Sequence, residues 1–292
     1  MIVRSETTGR LRPLEEFFGR VGVRGREPFF AKKGSLPRFL RIMRMWDKET
    51  ARRYDAWFQT PPGEFALKRE IRLLERMTAG WPRRGQRLLE VGCGTGIFLD
   101  VLHSAGFEVT GLDASPAMLE AARARMAGRA DLHLGDASHL PFDDNEFDFC
   151  VLFTVLEFCR DPGQVLREAG RVARKAVLIG FLNRFSCYGL SMRLFPGRGK
   201  GPLRSARWFT PWGMGRLARE NLGRPPIRMR SVLLGPKATW RESTPWRQLN
   251  APILSLPVGA FCACSVSLTG AAVMTPLPAF KAKTCLGCGS AF

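Results

Sequence analysis

The stretch Leu88-Leu89-Glu90-Val91-Gly92-Cys93-Gly94-Thr95-Gly96 constrains this chain more than any other. A short apolar run from Arg87 to Val91 reads as a buried strand. The three glycines that follow at alternate positions let the backbone turn tightly and come close to a ligand, because glycine has no Cβ. Ile97 to Ala105 then reads as a helix. A strand that passes through a glycine turn into a helix opens a βα unit, and open parallel sheets bind ligands beyond the carboxyl ends of their strands. The spacing here is E-x-G-x-G-x-G, distinct from the G-x-G-x-x-G of dinucleotide sites.

The pattern repeats downstream. Residues 108–113 read as a second strand ending in Asp113, and Ser115-Pro116 starts a helix to about Met126 with Ser at the N-cap and Pro at the first helical position. Residues 131–135 give a third strand running into Gly135-Asp136-Ala137, and residues 146–153 a fourth. A helix over 162–172 and a fifth strand over 175–182 follow. Upstream, 64–79 reads as a helix stopped by Gly80-Trp81-Pro82. Strands alternating with helices predict an α/β fold with a Rossmann-like, doubly wound, mostly parallel sheet and helices on both faces. A glycine turn and two acids, Asp113 and Asp136, then stand at the ends of three successive strands.

Beyond Asn183 the period loosens. Residues 184–211 read as a long aromatic and basic excursion, followed by a helix over 210–220 and final strands over 227–234 and 258–268. The predicted organisation is a basic extension over 1–45, a ligand-binding core over 46–182, an excursion and closing strands over 183–270, and a tail over 271–292.

Composition sets the outer limits. Of 292 residues, 45% are hydrophobic and 24% charged, which excludes a disordered chain, a collagen and a buried membrane bundle. The net charge of +19 is uneven: residues 85–181 carry 9 bases and 14 acids, whereas 182–292 carry 16 bases and 2 acids. Basic flanks suit an anionic substrate, a membrane surface or a nucleic acid, or form a solvated face. Leu36, Phe39, Leu40, Met43 and Trp46 recur at helical steps with Arg38, Arg41 and Arg44 between them. This basic amphipathic helix would lie on an anionic membrane or pack on the domain; Met43 or Met45 would also make a natural start. The uncharged span 248–280 is interrupted by Pro252, Pro257, Pro276 and Pro278, which argues against a spanning helix. The opening MIVRSETTGR has no apolar run behind its charges, so the expectation is a cytoplasmic protein with free thiols. Cys285-Leu-Gly-Cys288 has half the spacing of a zinc site and no second half, so no metal is expected.

LLEVGCGTG, VTGLDAS, GDASHLPF and FDFCVLFTVLEFCRDP, in that order, resemble successive motifs of the class I S-adenosylmethionine-dependent methyltransferases, of the small-molecule group that includes the ubiquinone and menaquinone methylases. LNRFS and ARWFTP resemble later elements of part of that group. The resemblance covers roughly residues 46–235 and implies a seven-stranded sheet with a final antiparallel strand. It implies S-adenosyl-L-methionine as cofactor, with Glu90 and the backbone of Gly92, Gly94 and Gly96 at its methionine end. By the same resemblance Asp113 would hold the ribose hydroxyls, Met118 would pack near the adenine, and Asp136 with the Ala137 N–H would meet the adenine edge. Phe153 and Thr154 would border the methyl donor. Tyr54 resembles an aromatic that closes over the cofactor, or is a packing residue of an aromatic-rich helix.

One departure matters. Many relatives place His after the Glu of this stretch, whereas Leu156-Glu157 is followed here by Phe158. A base assigned to that His is absent, which leaves Glu157 as a candidate to orient a substrate or take a proton, or as a helix-start acid. Asn183, Arg184 and Trp208 are further substrate-side candidates. The expected activity is methyl transfer to a small or lipid-like acceptor. The alternatives are RNA methylation through the basic C-terminal region, which lacks any base-amino motif, and a non-catalytic cofactor-binding protein. Peripheral contact with an anionic membrane is a further expectation.

Overall fold

A computed structural model describes residues 46–194, 203, 205–223 and 226–269. The amphipathic helix over 36–45, the alternative start sites and the Cys285–Cys288 pair lie outside these residues. Two helices come first, α1 (Lys48–Phe58) and α2 (Pro61–Thr78). The alternating part follows as β1 (Arg87–Val91), α3 (Ile97–Ser104), β2 (Glu108–Asp113), α4 (Pro116–Met126), β3 (Asp131–Leu134), β4 (Phe147–Phe153), α5 (Pro162–Val172) and β5 (Ala173–Leu182). The remainder is α6 (Cys187–Leu194), α7 (Pro211–Asn221), β6 (Ile227–Val232), α8 (Trp246–Asn250) and β7 (Phe261–Ser267).

The strands form one seven-stranded sheet in the order β3-β2-β1-β4-β5-β7-β6. The first five pair in parallel, and β7 inserts antiparallel between β5 and β6. This is the mostly parallel sheet expected from the alternation. β1 lies between β2 and β4, with Glu90 opposite Gly111 on one side and Val151 on the other.

Side chains alternate across each strand, and the core divides accordingly. Leu88, Phe149, Val151 and Leu178 pack with α2, α3 and α4. Leu89, Val91, Cys150, Leu152, Val177 and Ile179 pack with α5 and α7. Every residue of β4 is buried, which explains why it reads as a continuous apolar run rather than an alternating one. Each Leu, Val or Phe so buried contributes about 1.5–3 kcal/mol.

Local chemistry sets the ends of the helices. α2 starts at Pro61, three residues before the sequence pattern suggested, because Thr60 accepts the Gly63 N–H at 3.2 Å and two prolines occupy the first positions. Ser115 caps α4 through the Met118 N–H. The stretch expected as an irregular excursion contains α6, eight residues long; α8 was also absent from the sequence pattern.

Candidate functional site

The carboxyl ends of β1, β2 and β4 meet at the glycine turn. Gly92, Gly94 and Gly96 have φ of 70°, 54° and 79°, the left-handed region that disfavours side chains. At Gly92 a Cβ would also lie 2.5 Å from Val155 Cγ2. Asp113, at the end of β2, accepts the Gly94 N–H through Oδ2 at 2.9 Å and the Ser115 N–H through Oδ1 at 2.8 Å. Gly96 is the N-cap of α3 and supplies no side-chain acceptor, so the first amides of that helix remain available to a ligand.

Glu90 lies beneath this turn at 1% exposure, with Oε2 lacking a hydrogen-bond partner. Burial, and then the neighbouring Asp113 carboxylate, push its pKa well above the usual carboxylate range. Asp113 is also pushed up by burial, against the amides that favour its ionised form. An unpartnered buried carboxylate is costly. A cationic group brought beside it would relieve that cost.

α1 closes over the turn. Thr95 Oγ1 donates to Asp55 Oδ1 at 2.6 Å, and Arg125 pairs with Asp55 Oδ2 at 3.1 Å while its Nε donates to the Thr95 carbonyl at 2.8 Å. The Ser115 hydroxyl donates to the Trp46 carbonyl at 2.5 Å. Trp46 meets Tyr54 edge-on at 6.2 Å and Phe158 at 5.2 Å, and Tyr54 meets Phe58 at 5.1 Å. Tyr54 is pushed up by burial, then by the charges of Glu70, Glu90, Asp55 and Asp113. The structure therefore brings Tyr54 to the same end of the sheet as Glu90 and Asp113.

Glu70 was missed by the sequence reading. It sits on α2 with no hydrogen bond or ion pair among the described residues. Burial pushes its pKa up to about 8, and its charge raises both Tyr54 and Tyr188. Tyr188 in turn lies 5.6 Å from Trp208 and 4.9 Å from Trp240. A signal was present: Glu70 falls on the stripe of Ala66, Leu73 and Met77 that α2 buries, where an acid is out of place.

Other expected site residues fall in different places. Asp136 is half-buried, with Oδ1 accepting the Ser138 N–H and hydroxyl at 2.9 and 2.8 Å; Ala137 is half-buried beside it. Met118 is buried under α4. Thr154 stands at the end of β4 at φ 54°, its N–H on the Gly180 carbonyl. The Phe153 ring is buried against Phe98 at 4.7 Å and Phe261 at 5.6 Å.

The substrate-side candidates differ in their settings. Asn183 is fully buried, donating to the Pro257 and Gly259 carbonyls at 3.0 Å and accepting the Phe185 N–H at 3.0 Å. These bonds fasten the end of β5 to the segment before β7. Arg184 points outward, exposed. Glu157 is 2% exposed; its Oε1 accepts the Leu182 N–H at 2.8 Å, its carbonyl accepts the Arg207 N–H at 2.8 Å, and its Oε2 is unpartnered. Burial raises its pKa to about 7. Trp208 joins Tyr188 as described. Among the described residues no group of three or more His, Cys, Asp or Glu could hold a metal.

A family model described as a methyltransferase domain matches residues 89–179, from β1 through β5. The stretch from the glycine turn to the end of the parallel strands is thus similar to that domain. Malonyl-[acyl-carrier protein] O-methyltransferase of Serratia marcescens is 38% identical to this chain over 117 residues, covering 40% of the chain and 45% of that protein. Phosphatidylethanolamine N-methyltransferase of Cereibacter sphaeroides is 36% identical over 125 residues, 41% of this chain and 56% of that one. The chain thus spans about half the length of these relatives. In fold it is similar to a SAM-dependent methyltransferase from Thermotoga maritima, with a TM-score of 0.64 and 24% identity over 78% of this chain and 99% of that one.

Proposed function

We propose that the protein transfers a methyl group from S-adenosyl-L-methionine to a small or lipid-like acceptor. The observation that carries this reading is the unpartnered buried Glu90 oxygen beneath three positive-φ glycines. The cofactor bears an ammonium and a sulfonium, and a buried carboxylate without a partner is complementary to such cations. Glu90 with the Gly92, Gly94 and Gly96 backbone would hold the methionine end, Asp113 the ribose hydroxyls, and Asp136 with the Ala137 N–H the adenine edge. Met118 would pack against the adenine, while Phe153 and Thr154 would border the methyl donor. Tyr54, held by α1, would close the site against water.

When bound, the cofactor supplies a methyl group already activated by its positive sulfur. The chain then has to align an acceptor and accept any proton released, and alignment provides much of the rate. Glu70, whose charge acts on both Tyr54 and Tyr188, is the acceptor-side carboxylate we favour; its raised pKa suits proton uptake near neutral pH. Tyr188 and Trp208 would form the apolar wall of that side. The relatives named above act on an acyl-carrier protein and on phosphatidylethanolamine, which supports an acceptor that is lipid-like or carried on a long arm.

The test is calorimetric binding of S-adenosylhomocysteine to the full chain, with Glu90→Gln as the comparison. Binding by the parent and at least a ten-fold loss in Glu90→Gln are expected. A parent protein that binds no S-adenosylhomocysteine at millimolar concentration would sink the reading.

A further inference from the structure

An outward face built from α6, the loop before it and α7 is unlike the rest of the described surface. Phe185 is 63% exposed and Trp212 70% exposed, and the two rings meet at 5.9 Å. On α6, Leu190 at 52% and Leu194 at 63% stand one turn apart. Large apolar side chains exposed together in this way mark an interaction surface rather than ordinary scatter. Asn183 organises the patch: its buried side chain accepts the Phe185 N–H and holds the loop carrying the exposed Val258.

The same segments carry arginines. Arg184, Arg193, Arg207, Arg216 and Arg219 are all exposed, and none makes an ion pair among the described residues. Trp212, Arg216 and Arg219 follow one another at four- and three-residue steps, so they share a stripe of α7. They border an open depression of about 1040 Å³ with Glu220 and Gly223. Glu220 and Glu242 are the only acids after residue 181, and Glu242 faces Arg69 at 3.8 Å. Of these two acids, Glu220 is the one that borders the depression, beside Arg216 and Arg219.

We infer that this face docks on an anionic lipid surface, with Phe185, Leu190, Leu194 and Trp212 entering the interface and the arginines meeting lipid phosphates. The charge of the face is complementary to such a surface, and the apolar side chains match the headgroup boundary, where Trp sits readily. Adjacent aliphatic leucines have no use against RNA, which is held by phosphate contacts and by stacking on planar side chains. The face also adjoins the site: Glu157 accepts the Leu182 and Arg207 amides at the roots of both its segments. Docking requires neither cofactor nor turnover, so it is separable from methyl transfer.

The test uses the full chain in co-sedimentation with phosphatidylcholine vesicles and with mixed phosphatidylcholine–phosphatidylglycerol vesicles. Partitioning onto the anionic vesicles should be at least ten-fold stronger and should weaken with salt over the range where screening sets in. Phe185→Ser with Trp212→Ser should lower it about ten-fold, and Arg216→Gln and Arg219→Gln roughly five-fold each. Leu190→Ser with Leu194→Ser gives a second apolar test should the first pair unfold. No binding to either vesicle, equal binding to both, or anionic binding unchanged by the apolar variants would overturn the inference. So would arginine-dependent binding that RNA abolishes and the apolar variants leave intact, which would make the face a nucleic-acid surface.

Discussion

The Asp113 carboxylate takes the Gly94 amide at 2.9 Å, joining the end of β2 to the middle of the glycine turn. The same carboxylate holds the Ser115 amide at the start of α4. One acid thus fixes the turn and the next helix, and each of its oxygens keeps a second lone pair for a ligand.

From this follows the expected behaviour of Asp113→Ala. Charged hydrogen bonds to two ribose hydroxyls would go, together with the organisation of the turn, and cofactor affinity should fall by ~2–4 kcal/mol. Titration calorimetry with S-adenosylhomocysteine checks it. An unchanged affinity in a variant that still unfolds cooperatively would remove Asp113 from the site.

Asp55 should behave differently. It touches the turn only through Thr95 and Arg125, and the Arg125 pair is about one-third exposed on both sides. Asp55→Ala should therefore cost only ~1 kcal/mol of global stability, while α1 loses its hold on the site. Amide exchange across Lys48–Phe58 should accelerate well beyond that of β1 and β4. Equal protection in parent and variant would show that the aromatic contacts of Trp46 and Tyr54 are sufficient to keep α1 closed.

Much of this was legible in the chain because the sheet is parallel and buried. Strands such as β4 read as unbroken apolar runs, and the caps at Ser115-Pro116 and Thr210-Pro211 mark helix starts without tertiary information. Asp113 and Asp136 stood out as acids at or just beyond strand ends, whereas Glu90 came from the resemblance carried by its glycine-turn motif. What escaped depended on contacts distant in sequence. Asn183 looked like a polar residue at a strand end, but the carbonyls that bury it come from 257 and 259. Glu70 was one charge among several on α2, and its half-burial shows only in the packed structure. The exposure of Phe185, Leu190, Leu194 and Trp212 has no sequence signature, since buried and exposed aromatics read alike.

Gly92 offers a stability test of the turn. A methyl there would meet Val155 Cγ2 at 2.5 Å and sit at φ 70°. Left-handed backbone costs a non-glycine residue about 1–2 kcal/mol, and the overlap adds a further penalty. Gly92→Ala should lose about 2–4 kcal/mol in urea unfolding. Val155→Ala in the same chain should restore part of that loss, the steric share, while the backbone share remains. No restoration would place the whole cost in the backbone.

Glu157 links the site to pH. Its pKa rises from an ordinary carboxylate value of 4.5 to about 7 because it is buried with one oxygen unpartnered. Between those two values the folded protein holds a proton that the unfolded chain has released. Stability from this group is thus complete below pH about 4.5 and is lost as pH rises toward about 7. The shift corresponds to about 3 kcal/mol. Glu157→Gln cannot ionise and should abolish that share of the slope, so the two proteins should converge at low pH, apart from a constant offset, and separate in favour of the variant toward pH 7. Glu90 slopes in the same direction in both proteins, so only their difference reports on Glu157. Urea unfolding at a series of pH values measures it. Parallel curves for parent and variant would mean that Glu157 titrates alike in the folded and unfolded chains, and that its Oε2 is hydrated in solution.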